Sequence, residues 1–213
     1  MIRITHRSSE YLLEDSIVNR KLIAGAFALA ALASGSAFSQ TYVGGNIGLS
    51  HADHGCNALD ATGTSFSCDK NEFAYKLYGG YQLPGLPWAA ELSYNSLGRF
   101  KANGDGTDGN VRGSYWGFGG AYRPDFGNGL GGVARLGAAY GQGKTDYSLA
   151  GVSGSETKND WHPYYGLGLN YAIAKNIKLE ADWDNTRLTA QVPTFGSSTS
   201  VVNTYSIGAS FGF

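Results

Sequence analysis

Four side chains able to bind a metal or change redox state crowd one short stretch of this chain. In "HADHGC" His51, His54 and Cys56 fall within six positions, and eleven residues separate Cys56 from Cys68. Two thiolates and two imidazoles make a tetrahedral zinc set, whereas two thiols in an oxidising compartment make a disulfide. The compartment therefore decides. Behind Asn19-Arg20-Lys21 comes "LIAGAFALAALA" (Leu22–Ala33), and then "SGSAFSQ". A basic start, a short apolar run and a small-x-small site have the plan of an export signal. Residues 1–39 are thus expected to be an N-terminal extension plus signal, cleaved after Ala37-Phe38-Ser39 and before Gln40. The first eighteen residues carry three acids where a signal should begin, so translation is expected to start near Val18. Export favours a Cys56–Cys68 disulfide over a metal site. Closing a loop of that size contributes about 3 kcal/mol in the chain-entropy model. No metal or cofactor is expected.

Other candidates for chemistry give way to plainer readings. "NGDGTDGN" (Asn103–Asn110) misses the register of a calcium loop and suits a hairpin connection, where glycine and Asx residues supply left-handed turns. "GFGGAYRP" lies within an alternating segment and opens no helix, so it is no phosphate cradle. His162 is accompanied by no evident nucleophile–base–acid motif. The suggestive set is six charges of mixed sign, Lys76, Glu91, Arg135, Lys178, Glu180 and Asp182, set among small residues.

What must position those charges is a repeated design of two-residue period. Past Gln40 the chain runs as alternating segment, turn, alternating segment. In "FAYKLYGGYQL" Phe73, Tyr75, Leu77, Tyr81 and Leu83 oppose Ala74, Lys76, Tyr78, Gly80 and Gln82. In "WHPYYGLGLNYAI" Trp161, Tyr165, Leu167, Leu169, Tyr171 and Ile173 oppose His162, Tyr164, Gly166, Gly168, Asn170 and Ala172. Eight such segments follow one another: 41–50, 73–83, 88–95, one ending near Arg123, one from about Leu130, 161–173, one from Ile177, and the closing stretch from Val201. Strands place alternate residues on opposite faces.

The two faces identify the solvent. One is Trp, Tyr and Leu; the other is Gly, Ala, Ser and Asn threaded by the six charges. Eight bulky faces overfill a sandwich core, and in water they expose far more apolar area than a monomer tolerates. Hydrocarbon outside and a narrow polar interior resolve both problems, and closure removes the edges a bilayer cannot satisfy. The expected fold is all-β, an eight-stranded antiparallel up-and-down transmembrane β-barrel over 40–213. Long connections (50–71, 101–110, 148–160 and 189–200) alternate with short ones, which puts the long ones outside the cell. Tyr81, Trp88, Tyr122 and Tyr171, with Phe213, are expected at the periplasmic interface, and Phe73, Trp161 and Trp183 at the outer one. The interior charges are expected to pair as a plug. The 16 Lys+Arg against 17 Asp+Glu argue against nucleic acid, and no apolar run is long enough for a membrane-spanning helix.

"YYGLGLNYAIAKNIKLEADWDN" followed by a final "YSIGASFGF" resembles the small outer-membrane β-barrel family typified by the OmpA-like transmembrane domain. The resemblance covers 40–213 and includes no C-terminal peptidoglycan-binding domain. It implies residence in a bacterial outer membrane, among lipid and lipopolysaccharide. It also implies that Phe211 and the terminal Phe213 are read by the barrel-assembly machinery. The function expected is structural or adhesive, through four surface loops that contact host or envelope proteins, and the chain is not expected to be an enzyme. A lipid A-modifying enzyme at the membrane rim and a narrow pore are the alternatives.

Overall fold

The computed structural model describes residues 40–52, 67–68, 71–104, 107–149, 152–192 and 196–213. Residues 1–39 and Cys56 lie outside the described residues. Eight long strands make up the fold: β1 (Thr41–Ala52), β2 (Asn71–Gln82), β3 (Trp88–Gly104), β4 (Thr107–Tyr122), β5 (Leu130–Leu149), β6 (Val152–Ala174), β7 (Ile177–Val192) and β8 (Gly196–Gly212). Each pairs antiparallel with its neighbours in sequence, and β1 pairs with β8 from Tyr42↔Gly212 to Ala52↔Val202. The sheet is therefore a closed up-and-down barrel.

Burial follows the alternation. On β2 Ala74, Lys76 and Tyr78 are buried while Phe73, Tyr75 and Leu77 are exposed. Leu136 is 70% and Ile207 66% exposed, values that only a lipid environment makes favourable. Glycine lets the interior close up: the Tyr78 ring lies where a side chain on Gly44 would sit, and the Tyr42 ring lies over Gly80. These are directly opposed pairs of β1 and β2, so two tyrosines lie flat across the inner wall.

The aromatic residues collect at two levels. At the end with the short turns Trp88 and Tyr122 pack with ring centroids 4.9 Å apart, with Tyr81 and Tyr171 also on the outer face. At the other end a belt runs strand to strand, Tyr94↔Trp116, Trp116↔Tyr140 and Tyr140↔Trp161, and continues at Trp183↔Tyr205. Along β6, Trp161 and Tyr171 mark the two levels. At about 3.3 Å per residue and a tilt of about 40° they lie about 25 Å apart along the membrane normal, the height of a hydrocarbon band.

Beyond the outer belt the structure departs from the sequence expectation. Residues 101–110, 148–160 and 189–200, expected as loops, are largely strand: the ladders run on to Gly104↔Thr107, Leu149↔Val152 and Gly196↔Val192. Backbone hydrogen bonds hold a ladder, whereas alternation marks contact with lipid. Once a hairpin leaves the membrane the ladder persists and the alternation disappears.

Two seams open at this level. Main-chain pairing of β2 with β3 begins only at Tyr75↔Ser96, and that of β6 with β7 only at Tyr165↔Asn185. Strands β3 to β6 stay laddered and stand above the belt as a four-stranded sheet. Its β3 edge receives Ser67–Cys68, opposite Asn103 and Ala102. Its β6 edge, from Val152 to Trp161, pairs with no described strand.

Candidate functional site

The inner wall carries a continuous column of charge. Near the end with the short turns, Arg123, one residue past β4, meets Glu180 at 2.5 Å and lies 4.4 Å from the centre of the Tyr42 ring. Glu180 on β7 also accepts hydrogen bonds from Tyr78 Oη (2.7 Å) and Ser210 Oγ (2.7 Å). Arg135 on β5 donates from Nε to Glu91 on β3 (2.6 Å) and places Nη1 3.0 Å from Asp182 Oδ2. Tyr42 Oη donates to the other Glu91 oxygen at 2.9 Å. Asp182 accepts from Lys76 Nζ (2.7 Å) and Asn46 Nδ2 (2.9 Å). Lys76 also donates to Asp184 (2.6 Å), whose second oxygen takes the Tyr164 hydroxyl at 2.8 Å. Lys76 is 2% exposed, so it lies between two carboxylates with no water to replace either.

Five of the six charges singled out in the sequence thus lie in one network. The sixth, Lys178, lies on the same inner face of β7, half-buried, and makes no ion pair with the described residues. Sequence reasoning missed Arg123 and Asp184. Asp184 shares parity with Glu180 and Asp182, so its pattern was legible; Arg123 was hidden by the Pro124 that ends the alternation. The tyrosines that satisfy the carboxylates sit on the small-residue face, where only their spacing marked them.

Above the charges an apolar cluster joins the polar lining of the lumen. Leu97, Tyr115, Ala139, Tyr164, Leu188 and Val202 form one buried cluster across β3 to β8. Leu97 keeps the inward parity of Ser93 and Asn95, Ser50 Oγ fixes it with a 2.5 Å bond to its carbonyl, and a bulge between Ser96 and Arg99, with Gly98 at φ 83°, then turns Arg99 outward. Among the described residues the charged layer and this cluster fill the lumen in turn.

The other candidates fall at the ends of the barrel. His162 Nε2 is 3.1 Å from Thr189 Oγ1, and this bond and one from Thr186 Oγ1 to the Pro163 carbonyl cross the β6–β7 seam, while Thr189 is also 3.0 Å from Thr199 Oγ1 on β8. Trp161 and Trp183 lie in the outer belt, with Trp183 Nε1 donating to Asn203 at 3.1 Å. Phe211 and Phe213 pack edge to face at 5.1 Å beside the β1–β8 closure. Cys68 pairs through its main chain with β3, and its expected partner Cys56 falls outside the described residues.

Among solved structures the chain is similar to Ail, the attachment invasion locus protein of Yersinia pestis. They are 19% identical, with a TM-score of 0.53 over 82% of this chain and 99% of that one. It is also similar to neisserial surface protein A, at 17% identity and a TM-score of 0.55, over 81% and 97% respectively. These likenesses concern the fold. No curated protein sequence matches the chain. The family model for the outer membrane protein beta-barrel domain matches residues 22–213, and the chain belongs to that family.

Proposed function

We propose that this outer-membrane barrel is a surface-interaction protein, acting by adhesion through its extracellular hairpins and not by catalysis or conduction. The observation that carries the reading is the four-stranded sheet of β3 to β6, which stands above the outer belt with a β6 edge, from Val152 to Trp161, that pairs with no strand among the described residues. An unpaired edge offers N–H and C=O groups to an extended segment of a partner, and main-chain bonds then supply affinity. The lumen below contributes rigidity, because a scaffold held by buried ion pairs keeps its hairpins in fixed register. The attachment role named for the similar Yersinia pestis protein agrees with this reading. In the same reading residues 1–39 are removed on export, Cys56 and Cys68 close the first outer connection, and Phe213 is the handle for the assembly machinery.

The test removes the hairpin and keeps the barrel. Asp146 and Ser155 face each other in the ladder, so replacing 147–154 by Asn-Gly gives a short hairpin in the same register. Cells displaying the full chain should adhere to host-cell or matrix-coated surfaces, and cells displaying the shortened chain should lose most of that adherence at equal surface level. Equal adherence by both overturns the reading. Discrete conductance steps in planar bilayers would contradict the sealed lumen and favour a pore. Loss of a lipid A modification on deletion of the protein would favour a rim enzyme.

A further inference from the structure

Beyond the outer belt the inward positions carry charges of both signs, Glu156, Lys158 and Asp160 on β6 and Glu72 on β2. Outward, toward the lipid, Arg99, Arg112 and Lys144 face one another across three adjacent strands, in the pairs Arg99↔Arg112 and Arg112↔Lys144. Arg187 on β7 is also outward and exposed. Among the described side chains beyond the belt, Asp146 is the outward carboxylate, and it approaches Arg112 and Lys144 only at 3.9 and 3.8 Å. Like charges directly opposite on a sheet destabilise it, so a row of three is an arrangement that calls for an anion. Its height says which kind. Arg112, Lys144 and Arg187 each lie four residues beyond a belt aromatic on their own strands (Trp116, Tyr140 and Trp183), about 10 Å above the belt. That is the headgroup layer, and the side chains point sideways into it, not up toward soluble ligands.

We propose that Arg99, Arg112 and Lys144 form a collar that binds the phosphate groups of outer-leaflet lipid. The inference rests on outer-membrane residence and not on adhesion, since the shortened hairpin above retains all three residues.

The test titrates lipid A carrying its phosphates, or lipid A stripped of them, into the folded barrel in zwitterionic detergent, with bound lipid counted by native mass spectrometry. The wild type should prefer the phosphorylated lipid, and the R112Q/K144Q variant should bind it about thirty-fold more weakly. Asp146→Asn, which removes the competing carboxylate, should bind a few-fold more tightly. Without lipid, R112Q/K144Q should unfold no more easily than wild type, because it relieves repulsion; a merely structural row would cost stability. Equal binding of the two lipids, or unchanged binding in both variants, overturns the proposal. Displacement of the lipid by equimolar inorganic phosphate also overturns it, by showing a general anion site. Should R112Q/K144Q fail to fold, the Asp146→Asn shift and the comparison of the two lipids still decide.

Discussion

The strands of this barrel live in two solvents, and the same ladder obeys different rules in each. Below the belt of Trp116, Tyr140, Trp161 and Trp183, side chains alternate, apolar toward lipid and small, charged or hydrogen-bonded tyrosine toward the lumen. Above it the pairing of β5 with β6 continues from Tyr140↔Trp161 to Leu149↔Val152, but "GQGKTDYSL" and "VSGSETKND" carry no greasy face. Hydrocarbon satisfies no polar group, so below the belt the burial of each charge must be answered by a partner. Water answers for itself above it. Ion pairs should therefore matter very unequally in the two halves.

The sharpest way to break that contrast is to remove one cation from each half. Lys76→Met leaves Asp184 without a cation and Asp182 with Arg135 alone. It should cost about 3–5 kcal/mol. Lys144→Met, whose ion pair with Asp146 is long and half exposed, should cost less than about 1 kcal/mol. Urea unfolding of the two variants in lipid vesicles makes the comparison, and equal losses would refute it.

A smaller effect comes from adding a charge to the outer face of one strand. Leu169 and Asn159 both point outward on β6, below and above the belt at Trp161. Leu169→Arg should lose about 2–4 kcal/mol and Asn159→Arg close to none, by the same unfolding measurement. Smaller still is the effect of shortening. Replacing 147–154 by Asn-Gly should shift barrel stability by less than about 1 kcal/mol, since the hairpin removed lies wholly in water. A loss comparable to that of Lys76→Met would show that the two halves fold as one unit.

The same division explains what the sequence made legible. Strand number, facing and the inward parity of Lys76, Glu91, Arg135, Glu180 and Asp182 follow from period two, which the bilayer imposes wherever it touches the chain. The extended hairpins were read as loops because their ladders rest on main-chain bonds, to which side-chain pattern is blind. The facing of Arg99 was invisible for a related reason: Leu97 keeps the inward parity of Glu91, Ser93 and Asn95, but the bulge at Gly98 turns Arg99 outward, and a bulge shifts parity by one residue without marking the composition. Partners within the network, such as Arg123 with Glu180, depend on which strands face each other across the lumen. That becomes known only once the barrel has closed.

The division itself is open to direct measurement. Spin labels placed one at a time at Leu136, Leu169 and Ile207, and at Gln142, Thr157 and Asn159, report collision with oxygen dissolved in lipid or with a paramagnetic chelate dissolved in water. All six side chains are exposed on the outer face. The first three should relax with oxygen and ignore the chelate, and the second three should do the reverse. Chelate contact at Leu136 or Leu169, or oxygen-dominated relaxation at Asn159, would mean that the aromatic belt does not mark the water boundary.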